Sequence, residues 1–286
     1  MDQWGKRLIL FFFVFYLIIG SFFYFYTGVV ASNQDFDFHF KRLNGLDDGR
    51  EYSPLYHLLF LPFGFNPLVF YAVNILFICV IIPILIYGIA RTHWSILAYF
   101  CGVALPHMWV YSSTFPHMIT FVLLLVYFNY RKNVKVFFVC AVLASFMHSR
   151  GLELFLVIGF LEIFCFYFKK MVFRAPAVGF LMYDSLNSIP KLIMIPLIYI
   201  TIPVLVYGLK KIEAFYALLI PFSFFLATID FRGITLAQLV LVLSCGPNLK
   251  ELDDKTKNMI LVLFLFMFCY YVGEFVMGSW KMIIFN

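Results

Sequence analysis

Long apolar runs alternate with short polar connections along almost the whole chain. The runs Leu8 to Phe25 and Met259 to Tyr271 contain no charged residue. A helix needs about 20 apolar residues to cross a bilayer, whereas a closed barrel would show alternating polar and apolar residues. The pattern therefore predicts an all-α, polytopic transmembrane bundle of about 10 or 11 spans, folded as one domain over residues 1–286. The predicted spans are about 7–30, 65–90, 94–111, 114–130, 134–148, 151–168, 191–209, 212–229, 233–246 and 258–277.

The composition is that of a multi-pass integral membrane protein. Hydrophobic residues make up 64% of the chain and charged residues 13%, whereas charged residues alone are about 25% of a soluble domain. The six cysteines stand singly in apolar stretches, without the close pairs that metal sites and disulfides show. The N-terminus has a positive start but a long apolar run and no A-x-A cleavage site, so it predicts a retained first span.

Basic residues cluster at the ends of the predicted spans. All the clusters fall on one side of the membrane if the N-terminus is cytoplasmic and if residues 171–188, which are polar for a span, also cross. The net charge of +6 is therefore interpreted as a topology signal, and no nucleic-acid partner is predicted. The same orientation makes the polar loop of residues 31–64 extracytoplasmic. The clusters are Lys6–Arg7, Arg91, Arg131–Lys132–Lys135, Lys169–Lys170–Arg174 and Lys210–Lys211.

The polar loop carries the residues best suited to chemistry. If residues 35–46 are helical, Asp35, His39 and Arg42 share one polar face, opposite an apolar face that contacts the bilayer. A carboxylate can remove the proton of an attacking hydroxyl, while an arginine or a histidine can hold a phosphate leaving group. Asp35, Asp37 and His39 also suit a divalent cation, and the sequence leaves open whether a metal is used. The alternative is a solvated helix whose charges only keep it soluble.

A second short helix is predicted at the end of the same loop. Ser53 suits an N-cap, and Pro54 suits the first position of a helix over Leu55 to Phe63. This helix is too short to span and should lie on the membrane surface. It contains His57, which is a candidate substrate-binding residue.

Three segments resemble motifs of the GT-C superfamily of integral-membrane glycosyltransferases. The loop Asp35-Phe36-Asp37-Phe38-His39-Phe40-Lys41-Arg42, between a first span and a proline-led juxtamembrane helix, is similar to the first extracytoplasmic loop of that family. Phe146-Met147-His148-Ser149-Arg150-Gly151-Leu152-Glu153 resembles a His-containing turn between two later spans. Asp230-Phe231-Arg232-Gly233 resembles an arginine motif at the head of a late span. With 286 residues, the chain is much shorter than most members.

The resemblance implies an inverting glycosyltransferase that moves a sugar from a polyprenyl-phosphate donor to a glycan or protein acceptor. It implies that Asp35 is the general base and that Asp37 supports it or binds a metal. It also makes His148, Arg150 and Arg232 candidates for binding the lipid phosphate. The other candidate substrate-binding residues are His39, Arg42 and His57.

Other functions remain open from the sequence. A polymerase of lipid-linked repeat units has a similar His-containing turn. A lipid-linked glycan transporter or flippase would show internal repeats and polar residues at mid-membrane, whereas this sequence shows no repeat and its polar residues cluster at one surface. A subunit of a larger membrane complex would fit the short chain. Acidic residues in or beside apolar segments imply buried partners that the sequence does not name; they are Glu153, Glu162, Glu213 and Glu274.

Overall fold

The described residues are almost entirely helical, as the apolar runs predict. A computed structural model of the chain describes residues 3–27, 55, 58, 61–63, 72–73, 75–104, 114–147, 151–167, 173–174, 199, 201–203, 205–207, 211–212, 215, 218–220, 222–223 and 234–285. The α-helices are α1 (Gln3–Thr27), α2 (Ile82–Ala90), α3 (His93–Tyr99), α4 (Thr114–Asn129), α5 (Val134–Met147), α6 (Gly151–Tyr167), α7 (Ile234–Ser244), α8 (Pro247–Lys250) and α9 (Asp254–Phe285). Two π-helical segments, Phe77–Ile81 and Phe100–Ala104, precede α2 and follow α3 without a break.

Most described helices begin and end close to the predicted spans. α4, α5 and α6 each end one residue before the predicted end, because the polar turns that separate them are clear in the sequence. α9 is longer than predicted: it begins at Asp254 and continues to Phe285. In the predicted short helix, Leu55 and Leu58 are helical and a 3₁₀ turn follows at Leu61–Phe63. The predicted helix over 35–46 lies outside the described residues.

Within the described part of the chain, the only β-structure is a two-residue antiparallel pair. β1 (Phe173–Arg174) pairs with β2 (Lys211–Ile212), so that Arg174 lies opposite Lys211. The pair is too short to change the all-α class. It brings together two of the basic clusters found in the sequence.

Among the described residues, one helix is long and apolar enough to cross a membrane. It is Asp254–Gly273, the first part of α9, and 22% of its most apolar window is buried within the fold. The other apolar helices are shorter, between 10 and 17 residues. A single helix of this kind gives limited support for membrane association.

Hydrogen bonds between helix ends establish how the helices run. Thr92, between α2 and α3, donates its hydroxyl to the carbonyl of Cys245 just after α7, at 2.6 Å. Asn129, the last residue of α4, donates to the carbonyl of Leu85 in α2, at 3.1 Å. Therefore α2, α4 and α7 end at the same end of the bundle, where α3 begins.

Short connections make α4, α5 and α6 antiparallel neighbours. The turn between α4 and α5 closes with a hydrogen bond from the Asn133 N–H to the Tyr130 carbonyl, at 3.0 Å. The rings of Tyr127 in α4 and Phe137 in α5 are 5.3 Å apart. Gly159 of α6 lies against the same Phe137 ring. α5 consequently begins at the end where α4 finishes, and α6 returns toward it.

That end collects most of the described basic residues and is called the basic end. Phe215, three residues after β2, lies beneath the Arg131 guanidinium, 4.0 Å from ring centroid to Cζ, so the β1–β2 pair joins the basic end. The basic end comprises Arg91, Arg131, Lys132, Lys135, Arg174, Lys211, Lys250, Lys255 and Lys257.

Candidate functional site

All the predicted site residues lie outside the described residues. The catalytic pair and the proposed ligands of the substrate are Asp35, Asp37, His39, Arg42, His57, His148, Arg150 and Arg232. The ends of described helices flank three of them, His148, Arg150 and Arg232, along the chain.

The α5–α6 connection and the start of α7 lie at the end of the bundle opposite the basic end. α5 ends at Met147 and α6 begins at Gly151, and the residues between them include His148 and Arg150. α7 begins at Ile234, two residues after Arg232, and runs toward the basic end. The predicted phosphate ligands thus follow or precede helix ends on one side of the bundle.

The α5–α6 connection depends on a glycine. A Cβ at Gly151 would overlap the backbone carbonyl of Ala144, in the last turns of α5. Because backbone atoms cannot move aside as a flexible side chain does, a larger residue would push α6 away from α5. Glu153 lies in the first turn of α6, where a carboxylate is stabilised by the helix dipole. Close backbone packing therefore fixes the two helix ends that flank His148 along the chain.

A tyrosine hydroxyl from a neighbouring helix satisfies a backbone carbonyl in the first π-helical segment. The Ile82 N–H bonds to the Phe77 carbonyl, five residues back, and Pro83 has no N–H to offer. The carbonyl of Ile78 is therefore left without a donor from its own helix. The buried hydroxyl of Tyr99, in α3, donates to it at 2.9 Å. Pro83 thus creates an acceptor that a neighbouring helix satisfies.

A second tyrosine arrangement surrounds Gly102 in the second π-helical segment. Tyr199 donates its hydroxyl to the Gly102 carbonyl and lies 2.8 Å from the Tyr271 hydroxyl of α9. The side chain of Gln238, in α7, also hydrogen-bonds to Tyr199. Since Tyr199 has one proton and gives it to Gly102, Tyr271 donates to Tyr199. One carbonyl thereby joins the segment after α3 to α7 and α9.

The segment Phe100–Ala104 is buried throughout and also packs against α1. Tyr16 donates its hydroxyl to the Phe100 carbonyl at 3.0 Å. The Phe12 ring stacks on the Phe100 ring, with centroids 4.4 Å apart. A Cβ at Gly102 would overlap the end of the Met267 side chain of α9. π-helical turns often occur at functional sites, and here this one holds α1, α3, α7 and α9 together.

An ion pair crosses the bundle near the basic end. The Arg131 guanidinium donates through Nε to Glu162 of α6 at 2.6 Å, and the Tyr127 hydroxyl donates to the same carboxylate oxygen at 3.2 Å. Both charged side chains are largely buried, with 16% and 25% of their surfaces exposed. Glu162 was expected to need a partner, and the structure identifies Arg131 and Tyr127. Sequence reasoning had assigned Arg131 only to topology because the partner is 31 residues away.

The described polar core is built to position helices rather than to transfer protons. Its hydroxyl and amide groups donate to backbone carbonyls and to each other, and the Arg131–Glu162 charges neutralise one another. No group of three or more His, Cys, Asp or Glu side chains that could hold a metal occurs among the described residues. Asp35, Asp37 and His39, the residues considered for a metal, are outside that part of the chain.

Comparison with protein-family models, with curated proteins and with solved structures finds no match for this chain.

Proposed function

We propose that the protein is a multi-pass membrane glycosyltransferase that uses a polyprenyl-phosphate-linked sugar. The observation that carries the proposal is the D-F-D-F-H-F-K-R motif of residues 35–42, which follows the first long apolar helix. The collection of basic residues at one end of the bundle supports it, because the ends that flank His148 and Arg232 then face away from the positively charged side.

The proposed reaction is a single displacement at the anomeric carbon. Asp35 removes the proton of the acceptor hydroxyl as its oxygen bonds to the anomeric carbon, and the bond from that carbon to the phosphate oxygen breaks. The lipid phosphate departs with the electron pair, and Arg150, His148 and Arg232 stabilise its negative charge. Attack opposite to the leaving group inverts the configuration. Asp37 orients Asp35 or holds a metal.

The multi-pass arrangement is supported by the outward faces of α5 and α6. Both helices expose a series of large apolar side chains, which water would disfavour and lipid would accommodate. On α5 they are Val134, Phe138, Val139, Val142 and Phe146, and on α6 they are Leu152, Leu156, Phe160, Ile163, Phe166 and Tyr167.

The orientation can be tested independently of catalysis. If the basic end is cytoplasmic, the loop of residues 31–64 is extracytoplasmic. A cysteine introduced at Asn44 should then react with a membrane-impermeant thiol reagent in intact cells, in a background that lacks the exposed Cys269. Labelling only after permeabilisation would reverse the orientation and remove the site from the outer surface.

The catalytic assignment predicts the effect of Asp35→Asn. This change keeps the size of the side chain but removes its basicity, and general-base catalysis is typically worth about 10² to 10⁴ in rate. Purified Asp35→Asn protein should lose transfer from a polyprenyl-phosphate sugar by about that factor, while Asp47→Asn, in the same loop, should stay active. Near wild-type turnover by Asp35→Asn would refute the base assignment, and a loss only in Asp37→Asn would move the role to Asp37.

A second candidate, a polymerase of lipid-linked repeat units, is favoured by the α5–α6 connection. The packing of Gly151 against Ala144 fixes the helix ends on either side of His148, as a direct role of that residue in binding a lipid-linked substrate would require. The same transfer assay separates the two functions. Products that lengthen by whole repeat units indicate the polymerase, and products that gain one sugar indicate the single-sugar transferase.

A further inference from the structure

The α4–α5 turn combines positive charge with an exposed apolar surface. Arg131 turns inward to Glu162, whereas Lys132 and Lys135 are exposed, and no described acidic side chain forms a salt bridge with either. Lys132 adopts a left-handed backbone conformation, with φ of 80°, which turns the chain sharply before α5. Tyr130, also exposed, lies beside them. The ammonium groups of Lys132 and Lys135 can therefore contact an anion at the basic end of the bundle.

The N-terminus of α5 adds to this positive potential. Asn133 caps the helix: its side-chain oxygen accepts hydrogen bonds from the N–H groups of Lys135, at 3.1 Å, and Val136, at 3.4 Å. Aligned peptide dipoles place partial positive charge at this point of a helix and favour a bound anion. The cap holds the first turn of α5 in place, so Lys132 and Lys135 flank a fixed helix end.

An apolar stripe continues directly from Lys135 along α5. Phe138, Val139, Val142 and Phe146 follow at helical spacing and are all exposed. At about 1.5 Å per residue, Phe138 to Phe146 covers about 12 Å along the helix axis, close to the roughly 15 Å hydrocarbon depth of one leaflet. A cationic rim below an apolar stripe of this length matches a phospholipid with a charged headgroup and acyl chains.

We propose that the α4–α5 turn is a binding site for an anionic phospholipid. The lipid phosphate lies between Lys132 and Lys135 at the N-terminus of α5, the acyl chains follow the stripe from Phe138 to Phe146, and Tyr130 lies at the level of the headgroups, where aromatic residues are favoured. The proposal rests on the multi-pass membrane arrangement but not on glycosyl transfer.

α9 offers a matched control with the same geometry and a different charge. Lys255 is exposed at the start of α9 and is followed by an exposed apolar stripe that includes Met259, Val262 and Phe266. Its neighbours Asp253 and Asp254 are acidic, and they offset its charge. If net positive charge is what selects the lipid, this site should bind an anionic lipid poorly.

The test measures lipid binding to the purified full chain in detergent by native mass spectrometry. Phosphatidylglycerol should bind more tightly than phosphatidylcholine of the same acyl chains. Since each lysine near an anionic surface contributes about a fivefold change in affinity, Lys132→Gln with Lys135→Gln should weaken phosphatidylglycerol binding roughly 25-fold. Lys255→Gln should change it less than twofold.

Four results would overturn the proposal. They are equal binding of the two lipids, unchanged binding by the double variant, an equal loss in Lys255→Gln, and binding of free glycerol phosphate as tight as that of the lipid. Transfer activity gives a separate readout, and the double variant should keep the wild-type dependence on Asp35. If the double variant loses lipid binding but keeps transfer, the enzymatic proposal is unaffected. If the protein binds the lipid as proposed but shows no transfer, the lipid site is unaffected.

Discussion

Removing the hydroxyl of Tyr99 should destabilise the protein through a single orphaned carbonyl. Tyr99→Phe keeps the buried ring and deletes the only atom that donates to the Ile78 carbonyl within the described contacts. The helix cannot replace this donor, because the Ile82 N–H is bonded to Phe77 and Pro83 has no N–H. The consequence should therefore be larger than the loss of an ordinary surface hydroxyl.

The expected cost follows from the burial of both groups. An unsatisfied buried acceptor costs about 1 to 3 kcal/mol, while measured hydrogen bonds between membrane helices average about 0.6 and reach about 1.7 kcal/mol. We expect Tyr99→Phe to lower the free energy of unfolding by about 1 to 2 kcal/mol. Pro83→Ala should reverse part of this loss. It supplies an N–H five residues after Ile78, the same spacing that Ile82 uses toward Phe77.

The two substitutions form a double-mutant cycle. Unfolding of each purified variant by sodium dodecyl sulfate in mixed micelles, followed by far-ultraviolet circular dichroism, gives the free energies to compare. Pro83→Ala should be more favourable in the Tyr99→Phe protein than in the wild type, with a coupling of about 1 kcal/mol. Tyr130→Phe, at an exposed tyrosine, is the control and should be neutral. Additive effects, or a Tyr99→Phe protein as stable as the control, would refute the explanation.

Three other predictions concern helix ends and the buried ion pair. Gly151→Ala should destabilise the bundle by about 1 to 3 kcal/mol because its Cβ meets backbone, whereas Gly273→Ala, which meets nothing within 4 Å, should stabilise it; comparing their unfolding midpoints checks both. Glu162→Ala should cost about 2 kcal/mol by leaving the largely buried arginine unpaired, and a cost no greater than that of an exposed glutamate would contradict the pairing. Hydrogen bonds from the hydroxyl and N–H of Thr256 lower the pKa of the Asp253 carboxyl. This cap therefore stabilises α9 above the unfolded pKa and loses its effect as the pH falls through the folded pKa. Asp253→Asn should make the unfolding midpoint less sensitive to acid below about pH 4, and an unchanged acid sensitivity would show that the cap has no such role.

The apolar pattern was sufficient to predict where the helices lie, but not the π-helical segments or the hydrogen bonds that hold the helices together. α4, α5 and α6 were found nearly to the residue, because a change from apolar to charged residues, such as Asn129 to Lys132, marks where helices end. The π-helical segments were not predicted, since a run of apolar residues around Pro83 looks like one continuous helix. To predict the first segment, one would have to know that Pro83 removes a backbone N–H donor and that the hydroxyl of Tyr99, 16 residues later, replaces it.

The same distinction applies to the charged and catalytic residues. The need of Glu162 for a partner follows from the cost of a buried charge, whereas the choice of Arg131 depends on the crossing of α4 and α6, which no local pattern contains. The predicted catalytic loop around Asp35 lies outside the described residues, so its assignment still rests on the motif.

The length of α9 has a consequence for the position of its C-terminal end. At about 1.5 Å per residue, its 32 residues extend about 48 Å, far more than the roughly 30 Å of bilayer hydrocarbon. Even with the charged first turn among the headgroups and an ordinary tilt of about 20°, roughly 10 Å of helix extends beyond the hydrocarbon on the far side, through the headgroup layer. In the proposed orientation this is the outer surface. The last turns of α9 would then lie among the headgroups and in the water at that surface, where any molecule that approaches the protein along that side of the membrane would meet them.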